Sequence, residues 1–205
     1  NQIRGFCKSE GVRLPKCSSE SFARMEHEVC ASVRTVTKPL FAMLRELAKK
    51  IGAYDKMIAD GVKRLRGEDA ALLDTITGVG PVTTAAFLAA VGDVSTFGSA
   101  RDAGPYFGLA PRQDQSGETD KQLRITKEGN EIVRRLLVTA ANYIMGPFGK
   151  DSDLRRHGMR IAERGGKNAK KRAKVAVARK LAVLMLAVLK SRTAYRPLKD
   201  VEAVA

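Results

Sequence analysis

The chain has 205 residues, enough for one ordinary domain with an extension or for two small ones, and its hydrophobic share of 44% is that of a globular protein. Apolar runs are too short and too interrupted by charge to span a bilayer, and the start does not read as a signal peptide. The net charge of +15 points to a polyanion as partner, although a solubilising basic tail or a membrane surface would also suit it.

Three cysteines, Cys7, Cys17 and Cys30, are scattered through the first thirty residues, which suits reduced thiols in a cytoplasmic protein. With only His27 and His157 to join them, no zinc-type ligand cluster is expected. Tryptophan is absent, aromatics are 5%, and Ala, Leu and Val are abundant, so the fold is expected to be mainly α. The chain does not begin with Met, which raises the expectation of a fragment whose upstream part carries function.

Residues 1–18 read as a short helix closing at Gly11, then a turn through Pro15. From Phe22 a long apolar seam begins. Leu40, Leu44, Leu47, Ile51, Tyr54 and Ile58 alternate spacings of four and three, and Val62 and Leu65 continue the stripe. This is coiled-coil spacing, and it serves either dimerisation or packing within the same domain. Pro39 is expected to kink this helix or to start a new one. Arg66-Gly67-Glu68-Asp69 is read as a boundary, giving residues 1–68 as the coiled-coil region, 69–150 as a second region and 151–205 as a basic C-terminal region.

Residues 72–92 have the form of a helix-hairpin-helix, with a Gly78-Val79-Gly80 turn and Pro81 opening the second helix. Gly78 and Gly80 permit the turn and a close approach to a phosphate, which the amides and dipole of the next helix then favour. A packing hairpin without a ligand is the plainer alternative. Ser99 is a candidate cap for a short helix after Asp93.

Tyr106 to Asn130 is polar and broken by Gly108, Pro111, Gly117 and Gly129, so an exposed loop or loose hairpin is expected. Ser116 stands beside Gly117, with Arg112 on one side and Lys121, Arg124 and Lys127 on the other. A hydroxyl so placed can attack a phosphate held by the cations. Equally, Ser116 can be a surface residue bonding its own backbone. A helix then opens at Ile132, carries Arg134, and ends near Gly146-Pro147.

Residues 150–200 hold sixteen Lys and Arg against four Asp and Glu. A helix is expected from roughly Lys167 to Leu189. Its first half offers Lys170, Lys171 and Arg172 to a nucleic-acid backbone, and its second half is apolar nearly all round and must be buried.

In order and spacing, the hairpin at 72–92, Phe107-Gly108-Leu109-Ala110-Pro111-Arg112-Gln113, Ser116-Gly117, Ile125-Thr126-Lys127-Glu128-Gly129-Asn130, Arg134-Arg135-Leu136-Leu137 and Lys174–Lys180 resemble one family. It is that of the DEDD-type, bridge-RNA-guided insertion-sequence transposases related to Piv-type DNA invertases, and the likeness covers most of the chain after residue 70. The opening Asn1-Gln2-Ile3-Arg4-Gly5 resembles the stretch just downstream of that family's RuvC-like nuclease domain. The resemblance implies a composite active site in which Ser116 is the nucleophile, forming a covalent phosphoserine link to DNA. Asp114-Gln115 depart from the uncharged stretch expected before that serine. It also implies that Mg²⁺ is held by an acidic tetrad upstream of Asn1 and by nothing in this fragment. Expected partners are DNA, a guide (bridge) RNA and a second copy of the chain through the coiled coil, and no membrane. Expected nucleic-acid contacts are Gly78, Gly80, Arg112, Gly117, Lys121, Arg124, Lys127, Arg134, Lys170, Lys171 and Arg172. A non-catalytic DNA- or RNA-binding module, or an assembly element built on the coiled coil, are the other readings.

Overall fold

The computed structural model describes residues 1–116 and 119–198, and of residues 19–20, 113–116 and 119–122 the backbone alone. Among them the fold is mainly α, as composition requires. The helices are α1 (Gln2–Ser9), α2 (Ser19–Phe22), α3 (Ala31–Asp74), α4 (Pro81–Val91), α5 (Ala103–Tyr106), α6 (Glu131–Met145), α7 (Asp153–Glu163) and α8 (Ala169–Ser191). One antiparallel pair of strands, β1 (Pro111–Ser116) and β2 (Thr119–Ile125), interrupts them. The chain divides into two compact units, Asn1–Met57 and Ile58–Ala205.

The first unit has a small core. Ile3 and Cys7 of α1, Leu14, Val29 and Phe41 are buried together, and Phe22 stacks on Phe41 with ring centroids 5.7 Å apart. Arg4 lies over the Phe22 ring at 4.9 Å and donates to the carbonyls of Leu14 (2.8 Å) and Pro15 (2.7 Å), so one side chain holds α1 and the turn after it. The seam of α3 divides in use. Leu40 and Leu44 pack on this core, while Leu47, Ile51 and Tyr54 are 53%, 59% and 64% exposed, leaving the middle of the stripe uncovered.

Pro39 does not interrupt α3. The one residue with non-helical angles inside it is Arg66 (φ −143°, ψ 44°). Local charge explains the position. Arg66 Nε donates to Asp69 Oδ2 at 2.6 Å, and Arg192, left-handed at the end of α8, donates to Asp69 Oδ1 and to Glu68 Oε2 (2.6 Å). Two guanidiniums thus hold a buried carboxylate at the break, which offsets the hydrogen bonds lost there.

The core of the second unit is organised on α8. Val177, Ala178, Leu181, Ala182, Met185, Leu186 and Leu189 are all buried, and α5, α6 and α7 pack around them. Burial on nearly every side of the second half is what its sequence demands. The last turn of α3 supplies Leu73, and α4 supplies Phe87, Leu88 and Val91. α4 packs chiefly on α6. Ser99 caps its turn as expected, in a reciprocal pair with Asp102.

Two glycines hold the base of the β-hairpin. Gly108 (φ +64°) and Gly129 (φ +71°) face opposite chain segments so closely that a Cβ on Gly108 would stand 2.3 Å from the Glu128 carbonyl oxygen. A Cβ on Gly129 would stand 2.0 Å from that of Tyr106. The Lys127 amide donates to the Gly108 carbonyl (3.1 Å) and the Thr126 amide to that of Ala110 (2.9 Å). Here backbone packs on backbone, with no room for side chains.

Two outcomes follow from these contacts. Gly129→Ala should cost about 3 kcal/mol or more in urea unfolding, since strain at positive φ adds to an overlap with backbone that cannot move away. For Asp69, burial alone would raise the carboxyl, but hydrogen bonds from Arg66 and Arg192 outweigh it and hold the group below its ordinary value. Asp69→Asn should therefore lower stability by about 1–3 kcal/mol at neutral pH. The gap between wild type and variant should shrink as pH falls below about 3.9 and close beneath the lowered native value, as urea melts across pH 2–7 would record.

Candidate nucleic-acid interface

The turn between α3 and α4 is built as its residues suggest, with one difference. Gly78 adopts φ +95°, and a Cβ there would lie 2.8 Å from Ile144 Cγ1 on α6. Its glycine is thus needed for packing. Gly80 is exposed and extended (φ −99°), with open space where a Cβ would point, and it leads into Pro81 at the start of α4. At Gly80 the backbone lies open to an approaching phosphate, and α4's first amides follow directly.

The polar stretch from Tyr106 to Asn130 is a hairpin. Pro111 pairs with Ile125 at its base, Gln113 with Gln122 and Asp114 with Lys121 along it, and Ser116 with Thr119 at the last paired position. An irregularity in register falls between Pro111 and Gln113. Gly117 lies outside the described residues, and of Ser116 and Lys121 the backbone alone is described. The register separates residues that the sequence brings together. Arg112, Arg124 and Lys127, all exposed, stand at the base, with Lys127 held at φ +61°. Ser116 is four residues up β1 from Arg112, about 13 Å along an extended strand. Only Lys121 pairs near the serine end.

Arg134 is half-buried, and its Nη1 donates to the carbonyls of Glu128 (2.7 Å) and Phe107 (3.2 Å). It braces the same two segments that Gly108 and Gly129 bring together, so much of its hydrogen-bonding capacity is spent inside the fold. On α8, Lys170, Lys171 and Arg172 are exposed, and Arg172 Nη2 donates to the Gly165 carbonyl at 3.3 Å.

The basic C-terminal region sorts into two groups. Arg155 donates to the carbonyls of Ile144 (2.7 Å) and Gly146 (2.6 Å), Arg156 to both oxygens of Asp151, Lys190 to the Phe97 carbonyl, and Arg192 to Glu68 and Asp69. These cations are structural. Arg160, Arg164, Lys170, Lys171, Lys174 and Lys180 carry no ion pair or hydrogen bond among the described residues. Arg160 and Arg164 escape a reading based on runs of like charge, yet with His157 they stand three and seven residues apart, the spacing of one helix face. That spacing was the available signal. Among the described residues no group of three or more His, Cys, Asp or Glu could hold a metal ion, and no helix is long and apolar enough to cross a membrane.

Residues 70–157, which include the turn at Gly78, the hairpin, α6 and the first half of α7, match the family described as Transposase IS116/IS110/IS902. The chain is 28% identical over 202 residues to the transposase for insertion sequence element IS1111A of Coxiella burnetii, covering 96% of this chain and 55% of that protein. It is 26% identical over 204 residues to a probable family 20 transposase of Pseudomonas aeruginosa, covering 96% and 60%. It is 36% identical over 122 residues to the pilin gene-inverting protein of Moraxella bovis, covering 59% and 37%. The chain thus spans little more than half the length of the first two relatives. Over residues 70–157, then, the chain is similar to the transposases of the IS116/IS110/IS902 family, and over 122 residues to a pilin gene-inverting protein.

Proposed function

We propose that this chain is the DNA-engaging part of a recombinase, in which Ser116 is the nucleophile. The observation that supports this most directly is the hairpin itself. Ser116 occupies its last paired position, on two strands whose base is clamped by the backbone contacts of Gly108 and Gly129. A serine at the end of the pairing stands away from the clamped base, a position that suits attack on a ligand.

The Ser116 oxygen attacks a phosphorus of the DNA backbone and expels one bridging oxygen as a deoxyribose hydroxyl. One P–O bond forms as another breaks, the serine proton passes to a base, and the proton on the departing hydroxyl comes from an acid. The phosphodiester bond is conserved as phosphoserine, so the reverse attack by a different DNA hydroxyl rejoins strands without an external energy source. Arg112, Arg124 and Lys127, set back at the hairpin base, hold neighbouring phosphates, and Lys121 serves the reacting one. An acidic nuclease domain, upstream in the whole protein, would supply carboxylates for Mg²⁺, which would draw charge from the scissile phosphate. A guide RNA is the further partner the family resemblance suggests.

A second reading, of a nucleic-acid-binding module without chemistry, gains support from the distance between Ser116 and the base cations. The two readings part at one substitution. In the whole protein, Ser116→Ala should leave duplex binding within about twofold and stability within about 0.5 kcal/mol, while abolishing strand exchange and the protein–DNA adduct on a denaturing gel. Recombination at the normal rate would assign the serine to the surface.

Self-association belongs to the same proposal. Leu47, Ile51 and Tyr54 present an uncovered stripe at coiled-coil spacing, and a second copy offers the matching stripe. Leu47→Asp with Ile51→Asp should convert a dimer to a monomer in light scattering. An unchanged mass would exclude this helix as the contact.

A further inference from the structure

α7 and α8 approach very closely at one point. A Cβ on Gly158 would lie 2.6 Å from Val177 Cγ2 and 2.9 Å from the Met145 sulfur, so the residue at 158 must be glycine for these helices to meet. The meeting has an electrostatic result. His157 adjoins Gly158, with Arg160 and Arg164 on the same face of α7 and at its C-terminal end, and Lys180 lies one turn beyond Val177 on α8. His157 is half-buried, and Arg160, Arg164 and Lys180 are exposed. Neighbouring Arg155 and Arg156 are engaged with carbonyls and Asp151, but none of these three cations has a carboxylate partner among the described residues.

We propose that His157, Arg160, Arg164 and Lys180 form a phosphate-binding site for the backbone of duplex DNA, in which His157 takes up a proton as the phosphate arrives. This rests on the reading of the chain as a DNA-engaging protein and adds a second contact surface on the α7–α8 face. Like charges brought together without counter-charge repel one another, and an anion at their centre relieves that repulsion. Arg160 and Arg164 supply forked donors, and Lys180 a point charge from the opposite helix.

Without a ligand, the imidazole is held below its ordinary value, first by burial and then by Lys180, Arg160 and Arg164. Asp153, four residues before it on α7, is the nearest acidic residue on that face, yet burial and the three cations prevail and disfavour the charged imidazole. A phosphate dianion or diester among the same cations reverses the local field and favours the imidazolium. The bound state then carries more protons than the free state, and by linkage affinity rises as pH falls.

The test is fluorescence anisotropy of this chain with a labelled DNA duplex, at pH 5.5 to 7.5 and over a range of salt. For the wild type, affinity should rise about three- to tenfold between pH 7.5 and 5.5. His157→Gln should flatten most of that rise. Arg160→Gln, Arg164→Gln and Lys180→Gln combined should reduce the slope of log affinity against log salt by about 2 to 3, with an unchanged urea midpoint showing that the fold is intact. The imidazole resonances of the chain's two histidines, assigned with His27→Gln, should show His157 titrating at higher pH when DNA is present. An RNA duplex of equal length should give the same salt slope, because the site reads phosphate alone. Tight DNA binding whose salt slope and pH profile survive these substitutions would overturn this site and leave the DNA reading standing. Absence of binding to DNA at any pH would remove both.

Discussion

A helix that is apolar on almost every side has to be enclosed on almost every side, and the second half of α8 sets this condition for residues 58–198. α5, α6 and α7 are spent in covering it, and α4 is drawn onto α6 rather than into a close pair with the helix before it. Gly78 shows the cost of that arrangement in local terms. Its positive φ and the 2.8 Å approach of Ile144 are conditions for docking the turn on α6, so a residue that looks designed for a ligand answers first to packing. Gly80, two residues on, answers to neither.

The second constraint is made of backbone. Gly108 and Gly129 bring two chain segments into direct contact, and Arg134 bridges the same segments from α6. A hairpin without an apolar face has little reason to be stable alone. Clamped in this way at one end, it can carry polar residues along its whole length and still project from a fixed base. A polar loop of this kind is suited to a site where a ligand rather than the core supplies the contacts.

Much of the fold was legible. Composition points to helices, the apolar second half of the last helix to a buried axis, and Ser99 and Gly146 to a cap and a helix end that the structure contains. Pro39 starts no new helix, because a single missing hydrogen bond does not end a long helix that packs before and after it. The break at Arg66 needs a carboxylate and two guanidiniums, one of them from residue 192, and no local pattern reveals that. For the site, residue types were legible and relations were not. Arg112, Arg124 and Ser116 are close in sequence yet lie at opposite ends of a strand pair. Arg134 reads as a phosphate ligand, and only the structure shows the two carbonyls it also holds. His157 reads as an isolated histidine, and only the Gly158–Val177 approach gives it cationic company from another helix.

The brace between Arg192 and Asp69 joins residues 123 positions apart. During synthesis Asp69 leaves the ribosome long before its partner exists, while the core of residues 1–57 draws only on Ile3 through Phe41 and their neighbours. The N-terminal unit can therefore consolidate on the nascent chain, whereas the break in α3 acquires its counter-charge only when the last helix has been made and docked. Until residue 192 has left the ribosome, the second unit lacks both the helix its core is built on and the lock at the break.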